Sequence, residues 1–225
     1  MAARGVTLAP APDRSEADGE TTPHGSAEAN AASGEALGSY DTVIVCMPSA
    51  QAAALVRDVS PPLEAQARAV RLEPCFALGF AASTSDEDRL RALPFDGVFV
   101  GREDAPASAS LAWIARDSSK PGRPPGERWV LHASPGWSRA WFDATEADVA
   151  RALLDEMARL FQLGSLEPSL NCVRRWSFAR AAAPLEQVVL FDEAARVGVG
   201  GDWAWRGRIE GAFLSGLELA RRVLA

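Results

Sequence analysis

The segment Val197-Gly-Val-Gly-Gly-Asp-Trp-Ala-Trp-Arg-Gly-Arg-Ile-Glu-Gly-Ala-Phe-Leu-Ser-Gly216 reads as a strand, a tight turn and the start of a helix. Gly200 and Gly201 permit a tight backbone where the strand ends. Asp202 follows at the carboxyl end of the strand, where an acid can accept hydrogen bonds from sugar hydroxyls. The helix that begins near Gly207 points its amide-rich, partly positive N-terminus the same way. Taken alone, the pattern also fits a glycine-rich turn with a helix packed tightly on a sheet.

The residues around this segment extend the strand and the helix. A helix is predicted over 207–224, with one apolar stripe and a second stripe of small residues four positions apart. A short strand pair is predicted over 188–191 and 196–199. The apolar stripe consists of Phe213, Leu217, Ala220 and Leu224, and the small stripe of Gly207, Gly211 and Ser215.

The middle of the chain contains several apolar runs of strand length with no helical pattern between them, which predicts an antiparallel sheet. A capping box at Asp143-Ala-Thr-Glu146 predicts a helix over 144–163, which Gly164 ends. The predicted strands are 75–82, 97–101, 110–115, 128–133 and 170–179.

The first 62 residues divide into a polar segment and the beginning of the ordered chain. Residues 1–38 contain no aromatic side chain, and two arginines face six acids, so we expect a disordered tail or linker. From Tyr40, a buried strand over 41–47 is followed by a short helix over 50–58 that Ser49 could cap. Pro61-Pro62 are expected to break the helical pattern before a second helix over 63–70.

Composition excludes several classes of protein. The 225 residues carry a net charge of −7, which argues against a nucleic-acid partner. No apolar run is long enough to span a bilayer. The three cysteines form neither a CxxC pair nor a zinc spacing, so we interpret them as buried thiols of a soluble protein in a reducing compartment, which the sequence does not identify further.

Two further groups of side chains have both a functional and a purely structural interpretation. His132, Ser134, Ser138 and Asp143 could suggest a hydrolase, but Gly136-Trp-Ser-Arg-Ala140 is not a GxSxG elbow, and a strand histidine near serines is more often structural. The arginines at 174, 175 and 180 could bind an anionic substrate or form a solvated strand face.

An ordered series of segments from Tyr40 to Ala225 resembles the FAD-dependent amine oxidase-like proteins, and more narrowly their renalase branch of NAD(P)/FAD-dependent oxidoreductases. The segments are YDTVIVCMPSAQAA (40–53), LAWIARDSSKPGR (111–123), WVLHAS (129–134), RWSFA (175–179) and GDWAWRGRIEGAFLSGLELA (201–220).

This resemblance implies an FAD cofactor that takes a hydride from an amine or a dihydronicotinamide-type small molecule and is reoxidised by dioxygen. By motif match, Gly201 and Asp202 would face the ribityl and pyrophosphate region. The pyrimidine edge of the flavin would lie near Glu210, Gly211 and Ala212. Trp176, Trp203 and Arg206 would lie by the substrate pocket. The resemblance identifies no catalytic base, and the sequence contains no metal-ligand set.

The sequence also departs from the family, because it contains no GxGxxG motif to hold the ADP half of FAD. We therefore expect a C-terminal portion of such an enzyme, and a complementary chain that carries the missing nucleotide-binding unit is one way to complete it. The alternative is a non-catalytic remnant or binding module of the same fold.

The expected fold class is α+β, with a mainly antiparallel substrate-domain sheet and an incomplete, Rossmann-like FAD-binding portion. The expected FAD-binding parts are 39–62 and 186–225, on either side of a substrate-binding domain over 63–185.

Overall fold

The computed structural model describes residues 40–100 and 110–225, which fall into two compact units. Of the described residues, the first unit contains 40–72 and 181–225, and the second contains 73–100 and 110–180. The units therefore divide at 72–73 and 180–181, whereas the sequence analysis placed its boundaries at 62–63 and 185–186. The predicted disordered segment 1–38 lies outside the described residues.

Both units combine helices and strands. In chain order the elements are β1 (Val43–Val45), α1 (Ser49–Val56), α2 (Pro61–Ala69), β2 (Leu72–Ala81), α3 (Thr84–Arg91), β3 (Gly97–Phe99), β4 (Leu111–Arg116), β5 (Arg128–Ala133), α4 (Pro135–Ala140), α5 (Glu146–Phe161), β6 (Leu170–Ala181), β7 (Leu190–Asp192), β8 (Val197–Val199) and α6 (Ile209–Leu224). No helix within the described ranges has the length and apolar character needed to cross a membrane.

The first unit is built on a three-stranded sheet in the order β1-β8-β7. β1 runs parallel to β8, and β7 and β8 form an antiparallel pair. Buried side chains from the sheet, α1 and the segment after β8 form one core, in which Val56, Val199 and Trp203 are at most 1% exposed. The turn between β7 and β8 is stabilised by the Asp192 carboxylate, which accepts hydrogen bonds from the N–H groups of Ala194 and Ala195.

Helix α6 packs through its small residues. Gly211, Ser215 and Leu219 are its buried residues, whereas Phe213 and Leu224 are 68% and 86% exposed. The apolar stripe that contains Phe213 is therefore exposed, and Gly211 and Ser215 of the small stripe make the contact together with Leu219. The physical reason is distance, since the backbone near α6 is too close to admit a larger side chain.

Glycines at two positions permit this close packing. A Cβ atom built on Gly200 would lie 2.7 Å from both Ser215 Oγ and Leu219 Cδ1. A Cβ on Gly211 would lie 1.8 Å from the backbone carbonyl oxygen of Trp205. The second contact involves backbone on both sides and cannot be relieved by turning a side chain.

The second unit is a five-stranded antiparallel sheet in the order β3-β4-β5-β2-β6. One face of the sheet packs in a common core with α5, where Leu78, Ile114, Leu131, Leu153 and Met157 are fully buried. The predicted antiparallel arrangement is confirmed, and with it the α+β fold class. Helix α3 lies between β2 and β3, so the argument that no helix separates the strands was wrong although its conclusion holds.

Several helix starts differ from the predictions. Pro61 occupies the first turn of α2 after the N-cap Ser60, whose side chain accepts a hydrogen bond from the Leu63 N–H. Proline is tolerated there because the first N–H groups of a helix have no intrahelical partner. The N-cap of α5 is Thr145, with Asp148 in the first turn, so the capping box lies two residues later than predicted.

The cysteines were expected to be buried, which is wrong. Cys46 and Cys172 are exposed and Cys75 is half-buried, and all three are free thiols. Burial still raises the pKa of the Cys75 thiol to about 11, so this group is protonated at neutral pH.

A buried carboxylate connects α3 to the segment after α5. Asp86 is 1% exposed, and it accepts hydrogen bonds from Ser83 Oγ, the Glu167 N–H and Arg89. Burial alone would raise the pKa of Asp86. The hydrogen bonds from Glu167, Ser83 and Arg89 outweigh that effect and hold the pKa below its ordinary value of 3.8.

We expect Gly211→Ala to lower the free energy of unfolding by about 2–4 kcal/mol, because the new methyl group overlaps the Trp205 carbonyl. The control is Gly216→Ala in the same helix, where no atom lies within 4 Å of the new Cβ. Alanine should stabilise the helix there by about 0.5–1 kcal/mol. Thermal and urea unfolding followed by circular dichroism measure both values, and equal effects of the two changes would contradict the packing argument.

We expect Asp86→Asn to lower stability at neutral pH by about 1–3 kcal/mol, because the buried hydrogen bonds lose their charged acceptor. The pKa of Asp86 is depressed in the folded state, so its contribution is full above the unfolded pKa and is lost as pH falls through the folded value. The difference between variant and wild type should therefore shrink below about pH 4. Urea unfolding at several pH values tests this, with the exposed Asp88→Asn as control; a pH-independent difference would contradict it.

Candidate functional site

The turn between β8 and α6, residues 200–208, contains four of the eight predicted site residues and is called here the C-terminal turn. Arg206 and Gly207 both have left-handed backbone, with φ of 59° and 63°. The Gly207 N–H donates to the carbonyl oxygens of Asp202 and Trp205, both at 2.9 Å. These backbone bonds close the turn without using any carboxylate.

The side chain of Asp202 therefore makes none of the hydrogen bonds that close the turn. Asp202 is half-buried, and its carboxylate has no hydrogen-bond or ion-pair partner among the described residues. The alternative that this carboxylate caps the turn before Gly207 does not match the geometry, because the backbone carbonyl accepts that bond. An ionised acid in this position can accept hydrogen bonds from the hydroxyl groups of a ligand.

The N-terminus of α6 lies at the end of the same turn. Its N-cap, Arg208, provides no side-chain cap, so the amides of Ile209, Glu210 and Gly211 have no side-chain acceptor there. Glu210 is exposed and Ala212 is half-buried. The N-terminus of a helix carries a partial positive charge that stabilises electron-rich ligand atoms.

Two other predicted site residues are explained by packing. Trp203 is 1% exposed in the core of its unit, and its indole N–H donates to the Met47 carbonyl at 2.9 Å. Gly211 is buried against the Trp205 carbonyl. Arg206 is exposed, and its guanidinium lies 5.2 Å from the centre of the Trp205 ring.

The C-terminal turn and the first turn of α6 together contain seven of the eight predicted residues, and Trp176 belongs to the other unit. The segment therefore presents an unpartnered carboxylate, which can accept hydrogen bonds, and the first amides of α6, which can donate them.

The second unit offers a second candidate surface, on the face of the sheet opposite the core. This open face was not identified from the sequence as a surface. Its middle is lined by the small residues Cys75, Ala77 and Gly79 of β2, all half-buried. Its other members are Ala81, Trp113, Ala115, Arg128, Val130, His132, Cys172, Arg174, Trp176, Phe178 and Arg180.

Strand register places aromatic groups in rows across the open face. Trp113 and Ala77 flank His132 in one row, on β4, β2 and β5 respectively. Partial desolvation, together with the positive charge of Lys120, lowers the pKa of His132, so its imidazole is neutral at neutral pH. Trp176 on β6 is 58% exposed. The sequence signal for this face is the alternation of small residues along β2, which leaves room above the sheet.

The serines of the hydrolase alternative are occupied by structural hydrogen bonds. Ser134 accepts from the Trp137 N–H at 3.2 Å as the N-cap of α4, and Ser138 accepts from the Phe76 N–H at 3.2 Å. Within residues 40–100 and 110–225, no group of three or more His, Cys, Asp or Glu side chains could hold a metal ion.

Solved structures show the same fold. A provisionally assigned protoporphyrinogen oxidase from Exiguobacterium sp. 255-15 matches with a TM-score of 0.60 at 14% identity, over 84% of this chain and 43% of that one. Cyclohexylamine oxidase from Brevibacterium oxydans IH-35A matches with a TM-score of 0.55 at 14% identity, over 81% of this chain and 42% of that one. This chain thus spans less than half the length of either structure.

The sequence matches the model of one protein family, the flavin containing amine oxidoreductases, over residues 18–224. The matched range begins upstream of Tyr40, where the sequence analysis placed the start of the resemblance. Because the match covers nearly the whole chain, the protein belongs to the flavin containing amine oxidoreductase family, whose cofactor is FAD.

Proposed function

We propose that this chain provides the substrate-binding sheet and the C-terminal flavin-contacting segment of an FAD-dependent oxidase. The observation that carries the proposal is the unpartnered Asp202 carboxylate, which lies between the end of β8 and the uncapped N-terminus of α6. A purely structural turn would have no need of an acid at this position, because backbone bonds already close it.

Most of the predicted cofactor-binding residues are proposed to contact FAD directly, and one is proposed to allow the helix packing that positions the others. Gly201 and Asp202 are proposed to face the ribityl and pyrophosphate region of FAD. The amides around Glu210 and Ala212 are proposed to face its flavin ring. Gly211 contributes by letting α6 approach the turn closely enough to present those amides.

Among the proposed substrate residues, Trp203 supports the C-terminal turn from beneath. Its ring lies against Gly201, where an added Cβ atom would be 2.8 Å from the indole nitrogen. Arg206 and Trp176 are the exposed residues of this set and are proposed to contact substrate.

FAD bound by these residues would supply a hydride acceptor for the substrate and a route for the two electrons to dioxygen, which would give hydrogen peroxide. The chain contributes by holding the substrate on the open face of the sheet of the second unit. We assign no catalytic base, because hydride transfer from an electron-rich donor does not need one. Within the family, the renalase branch is the proposed placement, with a dihydronicotinamide-type substrate or an amine.

The small sheet supports the proposal that a nucleotide-binding unit completes the FAD site. Among the described residues, β1 is an edge strand whose only partner, β8, runs parallel to it. Parallel sheets are normally extended and covered on both faces. The sequence contains no GxGxxG motif, so we propose that a βαβ unit carrying that motif, on this polypeptide or on another chain, pairs with this edge.

Visible absorbance of purified protein tests the function. The flavin spectrum should be weak for this chain alone and should increase on co-expression with a βαβ unit that carries the GxGxxG motif. The competing hypothesis, a non-catalytic module, predicts no flavin in either preparation.

We expect Asp202→Ala to weaken FAD retention by about 1.5–3 kcal/mol, the value of one hydrogen bond to a charged group. The unfolding temperature of the flavin-free protein should stay unchanged, because the carboxylate has no partner among the described residues. Flavin content after gel filtration of the complete, co-expressed protein and thermal melting measure the two effects, with the exposed Asp58→Ala as control. A lower melting temperature with unchanged flavin content would assign Asp202 to the turn alone.

A further inference from the structure

Helix α6 exposes a row of apolar side chains on the side opposite its packed residues. The packed side consists of Gly211, Ser215 and Leu219. A helix that is apolar on two sides is normally covered on both, so the exposed row indicates a surface for a partner. This row, called here the outer stripe, consists of Ile209, Phe213, Leu217, Ala220 and Leu224, all of them exposed.

The two flanks of α6 between these sides differ in charge. Glu218 and Arg222 lie on one flank, and α6 contacts β7. The Arg222 guanidinium donates to the Glu193 carboxylate, in the turn after β7, at 3.3 Å. Helical periodicity places Gly216 on the opposite flank, where no atom lies within 4 Å of an added Cβ. Glycine inside a helix costs stability, and packing within the described part of the unit does not explain it at this position.

The face of the sheet on which α6 packs is only partly covered above β1. A Cβ built on Gly198 of β8 would lie 2.7 Å from Leu219 Cδ2 and 2.8 Å from Ile44 Cδ1. Ile44 of β1 therefore shares the face of α6, yet it is 37% exposed. The other face is covered by α1 and α2, where Val45 and Val199 are buried. The apolar surface thus continues from α6 towards the edge strand β1.

The handedness of parallel connections predicts which face a further unit covers. A connection between parallel strands of one sheet is right-handed in almost all proteins. The connection from β1 to its parallel neighbour β8 begins with α1 and α2, on the face opposite α6. A right-handed connection that starts beside β1 and leads away from β8 must therefore lie on the face of α6.

This arrangement fits a βαβ unit whose first strand pairs with β1 and whose second strand lies beyond it. The first strand would stand two strand spacings from β8, so a helix above it would lie about 10 Å from a helix above β8, the ordinary distance between packed helices. Helices would leave the first strand and β1 on opposite faces. That boundary is a topological switch point, where open sheets bind nucleotides.

We propose that the outer stripe, the Gly216 flank of α6 and Ile44 form a docking surface for the helix of this βαβ unit. Ile209 and Phe213 provide apolar area, and Gly216 lets the incoming helix approach closely. The proposal rests on the proposed function in taking the partner to be a nucleotide-binding unit. The fold neighbours support a partner of this kind, because more than half of each of those chains lies outside the match.

Photo-crosslinking tests which face the unit covers. The chain is co-expressed with an affinity-tagged βαβ unit that carries the GxGxxG motif, with p-benzoylphenylalanine in place of Phe213. Irradiation and mass spectrometry should map the crosslinks to the helix that follows the GxGxxG turn. The same group in place of Gln51, exposed on α1 at the opposite face, should give no crosslink to that helix. Crosslinks from position 51 and none from position 213 would overturn the proposal.

Recovery of the chain on the tagged unit tests the close approach of the two helices. We expect Gly216→Leu to reduce recovery at least about tenfold, because the added side chain occupies the space of the incoming helix. The isolated variant should stay folded by circular dichroism, since nothing in the chain lies against the new Cβ. The matched control is Arg221→Leu, which places the same side chain at an exposed, ion-paired position of α6. Equal losses in the two variants would overturn the proposal.

Two other results would also overturn it. One is no recovery of the wild-type chain on the unit. The other is a wild-type chain that sediments as a dimer, becomes monomeric in Phe213→Ser and does not bind the unit, which would assign the stripe to a second copy of the chain.

Flavin absorbance of the recovered complex reports separately on the proposed function. A complex that crosslinks from position 213 but holds no flavin would refute that function and leave the docking surface supported. A complex that holds flavin without crosslinks from position 213 would overturn the docking surface alone.

Discussion

The close approach of α6 to the backbone of the C-terminal turn is the constraint on which the first unit depends. The Trp205 carbonyl lies where the Cβ of any residue but glycine would stand at position 211. Ser215 and Leu219 occupy the space above Gly200 in the same way. Because Gly200 and Gly211 have no side chains, the helix axis can come near the end of β8. A side chain at either position would push the helix away from the turn.

The two faces of the sheet in the second unit carry different kinds of side chains. One face is sealed by α5 with large aliphatic side chains, and Leu78, Leu131 and Ile114 are fully buried there. The other face bears small residues on β2 and exposed aromatic and cationic residues on β6. Alternation along a strand lets the same ten residues of β2 contribute to both faces. The small residues of one face are thus accommodated without loss of large side chains from the core.

Short-range patterns predicted the strands and the long helix, because period-two runs and a capped amphipathic repeat are local signals. They did not predict which side of α6 is buried. Phe213 and Leu217 give the more apolar stripe, but the distance to the neighbouring backbone selects Gly211 and Ser215, and that distance is a tertiary property. Helix α3 was missed because its residues, Thr84-Ser-Asp-Glu-Asp-Arg-Leu-Arg91, are almost entirely polar. Its acids in the first turn and arginines in the last, which complement the helix dipole, were the available signal.

The candidate site shows why residues that match one motif need separate arguments. Asp202 and Gly211 lie in the same signature, and motif matching assigns both to the cofactor. The structure gives Gly211 a complete packing explanation, since the Trp205 carbonyl occupies the space of its missing side chain. Asp202 has no such explanation, because its carboxylate contacts no described partner. A half-buried acid that makes no contact within its own turn keeps its hydrogen-bonding capacity for a ligand. The unexplained residue is therefore better evidence for a ligand than the explained one.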